Sequence, residues 1–367
     1  MFIASQRYFR YFDWISFCLS ITLSVCGLIF VFSATYTEHY PYSIFFKKQA
    51  LGIISGIFIY LLFTTIDYRL LSRFGYFVFW AIGGLLIFTL IKGSIGMGAQ
   101  RWINVLLFKF QPSELAKLFF PGFITYYLYT NHDNSQQWYD FLPLFSILMI
   151  TVVLIIKQPD LGTGLIILFS GLILLWFAGL SSRFFILFFG CFILTAPLFW
   201  HILKPYQKNR ITVFLGAGQS NKERYQLEQS KIAIGSGGLF GKGLTQGTQN
   251  RLMFLPEGRT DFIFAILCEE WGFAGAFIIL LLYGLLCFRL IFIAYIVTNF
   301  YAQLLICGLM IHIILSALIN IGMVTGLLPI VGIPLPLMSY GVSNLWITFA
   351  SLGWINGIQI RQFYIGE

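Results

Sequence analysis

Two carboxylates and a guanidinium crowd into Pro256-Glu257-Gly258-Arg259-Thr260-Asp261, immediately before an apolar run that opens at Phe262. A carboxylate placed there can accept hydrogen bonds from the first amides of a helix as an N-cap. It can also take a proton from a hydroxyl presented beside it. Asp261 stands where either role is open, and Glu257 lies about one turn behind it. Residues 235–243, GSGGLFGKG, are glycine-rich and basic, but Ser236 stands where a P-loop needs Gly and Gly243 where it needs Ser or Thr. Their amides could still approach a phosphate, with Lys242 beside them; a plain surface turn is the alternative.

Other candidates sit inside apolar segments. Glu114 and Lys117 are three apart, which puts them on one helix face within reach of an ion pair. Charges there must turn toward a bundle interior or a wet cavity, as a ligand contact or as a structural lock between helices. Glu269 and Glu270 are adjacent and diverge by about 100° on a helix, so at most one can share a site with Asp261. Asp160, before Leu161-Gly162-Thr163, reads as an N-cap. Arg101 could grip a sugar or diphosphate through paired hydrogen bonds and Trp102 could stack on it, or the Trp could serve as an interfacial anchor. The four histidines show no metal-ligand spacing, and His312 reads as bonded to a neighbour. The six cysteines lie in apolar segments with no disulfide or redox pattern.

The elements that must position these groups are membrane helices. Of 367 residues, 58% are hydrophobic and 10% charged, and mean hydropathy is +0.83, whereas soluble domains carry about a quarter charged residues. A soluble protein is excluded, and unbroken apolar runs disfavour a β-barrel. Helices are expected at about 14–33, 50–66, 74–92, 114–129, 142–157, 161–179, 184–203, 262–288, 300–324 and 341–360. The first continues through Ser33, too long for a signal-peptide core, and reads as a retained helix. Ten spans put both termini on one side, so the loops near 34–49, 93–113, 158–160, 204–261 and 325–340 share the opposite face. Lys and Arg in the short loops and helix ends divide evenly between the two faces, so the charge rule does not orient the chain.

The expectation is therefore an all-α integral membrane protein, one polytopic domain over 1–367 with a single long loop at 204–261. That loop carries nine basic residues, Arg210 and Lys242 among them, and is expected to be functional. Ile232, Ile234, Leu239, Phe240, Leu244, Met253 and Phe254 should bury themselves on the bundle. The formal charge of +9 is scattered among spans and loop, which suits an anionic, lipid-linked ligand and membrane lipid better than nucleic acid.

Long motifs recur in one order across most of the chain: GAQRWIN at 98–104, FQPSELAKL at 110–118, QPDLGT at 158–163, QSKIAIGSGGLFGKG at 229–243, GTQ at 247–249, FLPEGRTDFIFA at 254–265, EEWG at 269–272 and GLLPIVGIPLPLMSYG at 326–341. In these the sequence resembles the SEDS family (shape, elongation, division and sporulation), its RodA-like members more closely than its FtsW-like ones. The resemblance implies a ten-transmembrane-helix SEDS bundle in the bacterial inner (cytoplasmic) membrane, with the five-loop face extracytoplasmic. It implies a peptidoglycan glycosyltransferase that polymerises lipid II into β-1,4 glycan strands during cell elongation and releases undecaprenyl diphosphate, alongside a class B penicillin-binding protein that crosslinks them. Asp261 matches the family's essential acid and would be the catalytic base, while Glu114 and Lys117 match a polar pair in its intramembrane cavity. Arg101, Lys117, Arg210 and Lys242 are then candidates for holding the diphosphate, with Glu257 beside them in substrate binding. A divalent cation such as Mg could share that role, although no metal site can be read from the chain. The chain departs from the family at Arg259, where His is usual, at Val342 within SYGVS, and at Gly216-Ala217, where Asp-Pro is common after Phe-Leu. A lipid II flippase would use the same cavity and is the competing expectation.

Overall fold

The computed structural model describes residues 10–38, 40–96, 99–105, 108–131, 138–216, 221–252 and 254–364. Ten helices coincide with the ten expected segments: α1 (Trp14–Thr35), α2 (Ile44–Thr65), α3 (Tyr68–Lys92), α4 (Pro112–Thr130), α5 (Leu142–Lys157), α6 (Leu161–Phe177), α7 (Ser182–Ile202), α11 (Ile263–Ile296), α12 (Phe300–Thr325) and α13 (Val342–Tyr364). Three more, α8 (Pro205–Phe214), α9 (Asn221–Ser236) and α10 (Thr248–Arg251), occupy the long loop. Six helical stretches, α1, α2, α3, α5 with the 3-10 turn before it (Trp138–Lys157), α11 and α12, are long and apolar enough to cross a membrane by length and composition, and α6 and α7 count as shorter apolar helices. α4 and α13 instead carry buried polar side chains, among them Glu114, Lys117, Ser351, Asn356 and Arg361.

Helix starts follow local chemistry. Ser43, Asp67, Asp160 and Asn299 each accept a backbone N–H of the helix they precede, and α12 ends on Gly326 in the left-handed conformation. The helices pack through small residues, since lipid offers little hydrophobic drive for association. Where α2 crosses α13, a Cβ on Gly353 would lie 2.3 Å from the Tyr60 carbonyl and one on Gly56 would strike the Phe349 ring. Large apolar side chains, Ile186, Leu187, Ile193 and Leu194 of α7 among them, face outward, as a lipid solvent requires.

The segment expected as an irregular loop after α3 forms a small antiparallel sheet, β1 (Ser94–Gly96), β2 (Ala99–Val105) and β3 (Phe108–Phe110), in that order. Ser94 pairs with Trp102, and Ile103 with Phe110. On the terminal face, Arg289 of α11 pairs with Asp13 at 2.9 Å, Asn356 accepts the Asp13 N–H at 3.0 Å, and Arg361 donates to the carbonyls of Thr64 and Thr65. The opposite face gathers the five loops predicted to share it.

Candidate functional site

The junction of those loops is built on the chain leading into α11. Glu257 supplies its turn: the carbonyl accepts from the amides of Thr260, Asp261 and Phe262 at 3.1–3.3 Å, and the Glu257 carboxylate accepts from the Thr260 hydroxyl at 3.2 Å. The N-cap position falls to Phe262, one residue past Asp261. Asp261 is half-buried at the head of the helix.

The segment between α12 and α13 closes over this turn. Ser339 donates to the Thr260 carbonyl at 2.5 Å while accepting the Leu335 N–H at 2.8 Å. The Tyr340 N–H bonds the Arg259 carbonyl at 2.9 Å. Asn320 of α12 donates to the carbonyls of Asp261, at 2.9 Å, and Ile333, at 2.6 Å. Gly332 lies against the acid: a Cβ placed on it would lie 3.3 Å from Asp261 Oδ2. Next to it, the Val331 carbonyl accepts from Arg210 of α8 at 3.2 Å, and a Cβ on Gly162, in the first turn of α6, would meet that same oxygen at 2.9 Å. Residues 331–333 therefore collect α6, α8, α12 and the Asp261 turn into one place.

Two further clasps complete the face. Gln49, fully buried near the start of α2, donates to the Ser339 carbonyl at 3.1 Å and accepts the Gly341 N–H at 3.3 Å. Asp160 caps α6 as expected, accepting the Thr163 N–H, and also accepts from Gln111 at 2.5 Å and Ser113 at 3.2 Å at the start of α4. Glu114 and Lys117 form the expected ion pair at 2.7 Å, buried at 5% and 4% exposure, and Asn344 of α13 donates to Glu114 at 3.2 Å. His312 lies near the Ser351 hydroxyl at 3.4 Å.

Arg259 directs its guanidinium over the Phe45 ring at 4.0 Å, and Phe45 packs edge-on against Tyr340. Burial raises the Tyr340 phenol above its ordinary range, against the opposing pull of Arg259. The Arg259 cation thus spends its charge on an aromatic pair.

The glycine-rich stretch does different work from phosphate capture. At Gly272, with φ of +65°, α11 breaks its hydrogen-bond ladder. The carbonyls of Glu269 and Glu270 accept from Lys242 and Gly243, and the amides of Phe273 and Ala274 donate to Gly238 and Leu239. These four backbone groups at the kink are satisfied by the loop, as backbone inside a bundle requires. The amides of Lys242 and Gly243 are thereby committed to α11, and the Lys242 ammonium pairs with Glu269 at 2.7 Å. Glu269 also accepts from Thr248 and from the Gln249 amide. Glu270 turns away, to the hydroxyl of Ser33 on α1.

Because backbone and not side chain docks here, the expectation that the loop's apolar residues bury is overturned for Leu239 and Phe240, which stay 67% and 84% exposed. Ile232, Leu244 and Phe254 are exposed as well, and Ile234 is half-buried. Met253 and the side chain of Arg101 lie outside the described residues. Gly332, Asn320, Gln49 and Ser339 were missed from sequence. A signal existed for Asn320, an amide in an otherwise apolar span. Among the described residues, no group of three or more His, Cys, Asp or Glu is placed to hold a metal ion.

Comparison with known proteins gives consistent results. The model of the cell cycle proteins FtsW, RodA and SpoVE matches residues 13–363. The peptidoglycan glycosyltransferase MrdB of Escherichia coli K12 is 41% identical over 281 residues, 74% of this chain and 73% of the relative. The MrdB of Helicobacter pylori 26695 is 34% identical over 367 residues, 98% of this chain and 93% of the relative. Among solved structures, a chain of a peptidoglycan synthase complex described as coordinating polymerization and crosslinking superposes with a TM-score of 0.81, at 27% identity, over 96% of this chain and 98% of that one. The rod shape determining protein RodA of Thermus thermophilus gives a TM-score of 0.71 with the same identity and coverage.

Proposed function

This chain belongs to the FtsW, RodA and SpoVE family of cell cycle proteins, and from that membership we propose how its membrane bundle polymerises lipid II. The protein is a peptidoglycan glycosyltransferase of the RodA type, acting in cell elongation. In our reading Asp261 takes the proton of the acceptor's GlcNAc 4-hydroxyl as that oxygen attacks the anomeric carbon of the donor MurNAc. The bond to undecaprenyl diphosphate breaks with inversion, leaving a β-1,4 linkage. One carboxylate suffices, because a diphosphate is a weak base that needs its charge stabilised more than it needs a proton.

The observation that carries this reading is the place of Asp261: half-buried, at the head of α11, with an oxygen against Gly332 where the loops converge. Arg210 is the cation that best suits the leaving diphosphate, since its guanidinium reaches Val331, one residue from Gly332. Lys117 and Lys242 already face Glu114 and Glu269, so either would act on a diphosphate as a partly neutralised pair. Arg101 and Glu257 complete the proposed substrate contacts, Glu257 chiefly by holding the turn. The heads of α4, α6 and α13 share this face and direct helix dipoles toward it, which favours an anion there. We place the face on the outer side of the cytoplasmic membrane and expect a class B penicillin-binding protein as partner, as the likeness to a synthase complex suggests.

The test is polymer formation from lipid II by purified full-length protein in detergent, where no membrane separates two compartments. Wild type should make glycan polymer, which a transporter alone would not. Asp261→Asn should remain folded and lose about 10²- to 10⁴-fold in rate, the usual loss on removing a positioned base. Near-normal yield from that variant would reject the assignment.

A further inference from the structure

We infer that Asn320 is a positioning residue for the transfer, the strut that sets where Asp261 stands; this rests on the reading of Asp261 as base. Asn320 lies in the last third of α12 and is fully buried. Its amide nitrogen reaches two carbonyls from different segments, Asp261 at 2.9 Å and Ile333 at 2.6 Å. Carbonyl oxygens only accept, so the group facing both of them must be the NH₂, with one hydrogen for each. No other uncharged side chain of this size offers two such donors from one atom: Asp, Leu, Ser and Thr each lose at least one bond.

The consequence is geometric. Asp261 and Ile333 are 72 residues apart in the chain, and Gly332, whose Cα faces Asp261 Oδ2, is the residue before Ile333. A single amide thus fixes the backbone of the acid to the backbone of the wall it leans on. The neighbouring links, Ser339 to Thr260 and Tyr340 to Arg259, act one and two residues before Asp261; the Asn320 bond acts on the carbonyl of Asp261 itself. The Asn320 Oδ1 is buried and meets no donor among the described residues, a placement tolerated because the other end of the amide is bound twice. Asn320 itself is fully buried behind the acid, so its loss should displace the base without removing a binding contact. A displacement of about 1 Å can lower a rate about 10²-fold.

The test uses the full-length protein in detergent with lipid II as substrate. Asn320→Ala removes both bonds, and Asn320→Asp keeps the volume while removing at least one, so the second variant covers a failure of the first to fold. Each is compared with wild type and Asp261→Asn per mole of monodisperse protein. We expect kcat to fall about 10- to 100-fold with KM for lipid II changed less than threefold, and no further loss when either substitution is added to Asp261→Asn. A merely structural amide would reduce folded yield and thermal midpoint while leaving kcat of the folded fraction intact. That result, or a rise in KM that accounts for the whole effect, overturns the inference while an inert Asp261→Asn leaves the base assignment standing. An active Asp261→Asn overturns both.

Discussion

Asp261 and Gly332 meet so closely that the absent Cβ of the glycine would stand 3.3 Å from the carboxylate Oδ2. Gly332 also holds a φ of +73°, where an L side chain costs about 1–2 kcal/mol. Gly332→Ala therefore combines backbone strain with a methyl group pressed on the base. Protein that still purifies as a monodisperse species should polymerise lipid II about 10- to 100-fold more slowly than wild type. A polymerisation assay normalised to folded protein reads this directly, and an unchanged rate would mean that Gly332 is not the wall of the site.

The Glu114–Lys117 pair is buried on both sides, which makes its two halves interdependent. Lys117→Met leaves a carboxylate with, among the described residues, the Asn344 amide for company, and breaking a buried pair from one side costs about 3–5 kcal/mol. Combining it with Glu114→Gln removes the stranded charge, and most of the lost thermal stability should return. Polymerisation should not return with it, because the cavity has lost the charges that its substrate would meet. Thermal unfolding in detergent, run beside the lipid II assay on the single and double variants, separates the two roles; full activity in the double variant would make the pair purely structural.

The bundle was legible in the sequence because lipid imposes one strong rule, a run of apolar residues per span; all ten expected segments became helices. The ion pair at Glu114 and Lys117 and the cap at Asp160 followed from spacing alone. What stayed hidden depends on chain segments far apart in sequence. Nothing local marks Gly332 as the neighbour of Asp261, or Gln49 as the clasp on Ser339. The glycines at 237–243 were visible, but their purpose was set by Gly272 some thirty residues on, whose kink exposes the four backbone groups they satisfy. The sheet at 94–110 was missed because two of its strands span only three residues and the seven-residue β2, AQRWINV, does not alternate strictly between apolar and polar side chains.

Two glycines of the loop that clasps the kink should respond in opposite ways. A Cβ on Gly241 would fall 2.1 Å from the Glu270 carbonyl oxygen, backbone that cannot step aside, whereas one on Gly238 meets nothing within 4 Å. Both have positive φ, +77° and +57°, and Asn is the side chain that best tolerates that region. Gly238→Asn should behave as wild type, while Gly241→Ala should lose about 1–3 kcal/mol or more by overpacking. Thermal midpoints of the two purified variants decide it, and equal midpoints would show that the loop is not held against α11 as described.

Lys242 supplies the side-chain half of that clasp, and its removal asks whether the ammonium serves the loop or the substrate. The Glu269 side chain is wholly buried, and without Lys242 it keeps, among the described residues, the Thr248 hydroxyl and the Gln249 amide as donors. A buried carboxylate with too few partners pulls toward water, and Lys242, Thr248 and Gln249 are the residues that hold it. In Lys242→Ala, backbone amides across residues 242–251 should therefore exchange with deuterium markedly faster than in wild type, read by mass spectrometry on detergent-solubilised protein. KM for lipid II should stay within about threefold of wild type, because the Lys242 ammonium is spent on Glu269 before any ligand arrives. Unchanged exchange with a raised KM would reverse the assignment, leaving the backbone bonds at Gly272 to hold the loop and giving Lys242 to the diphosphate.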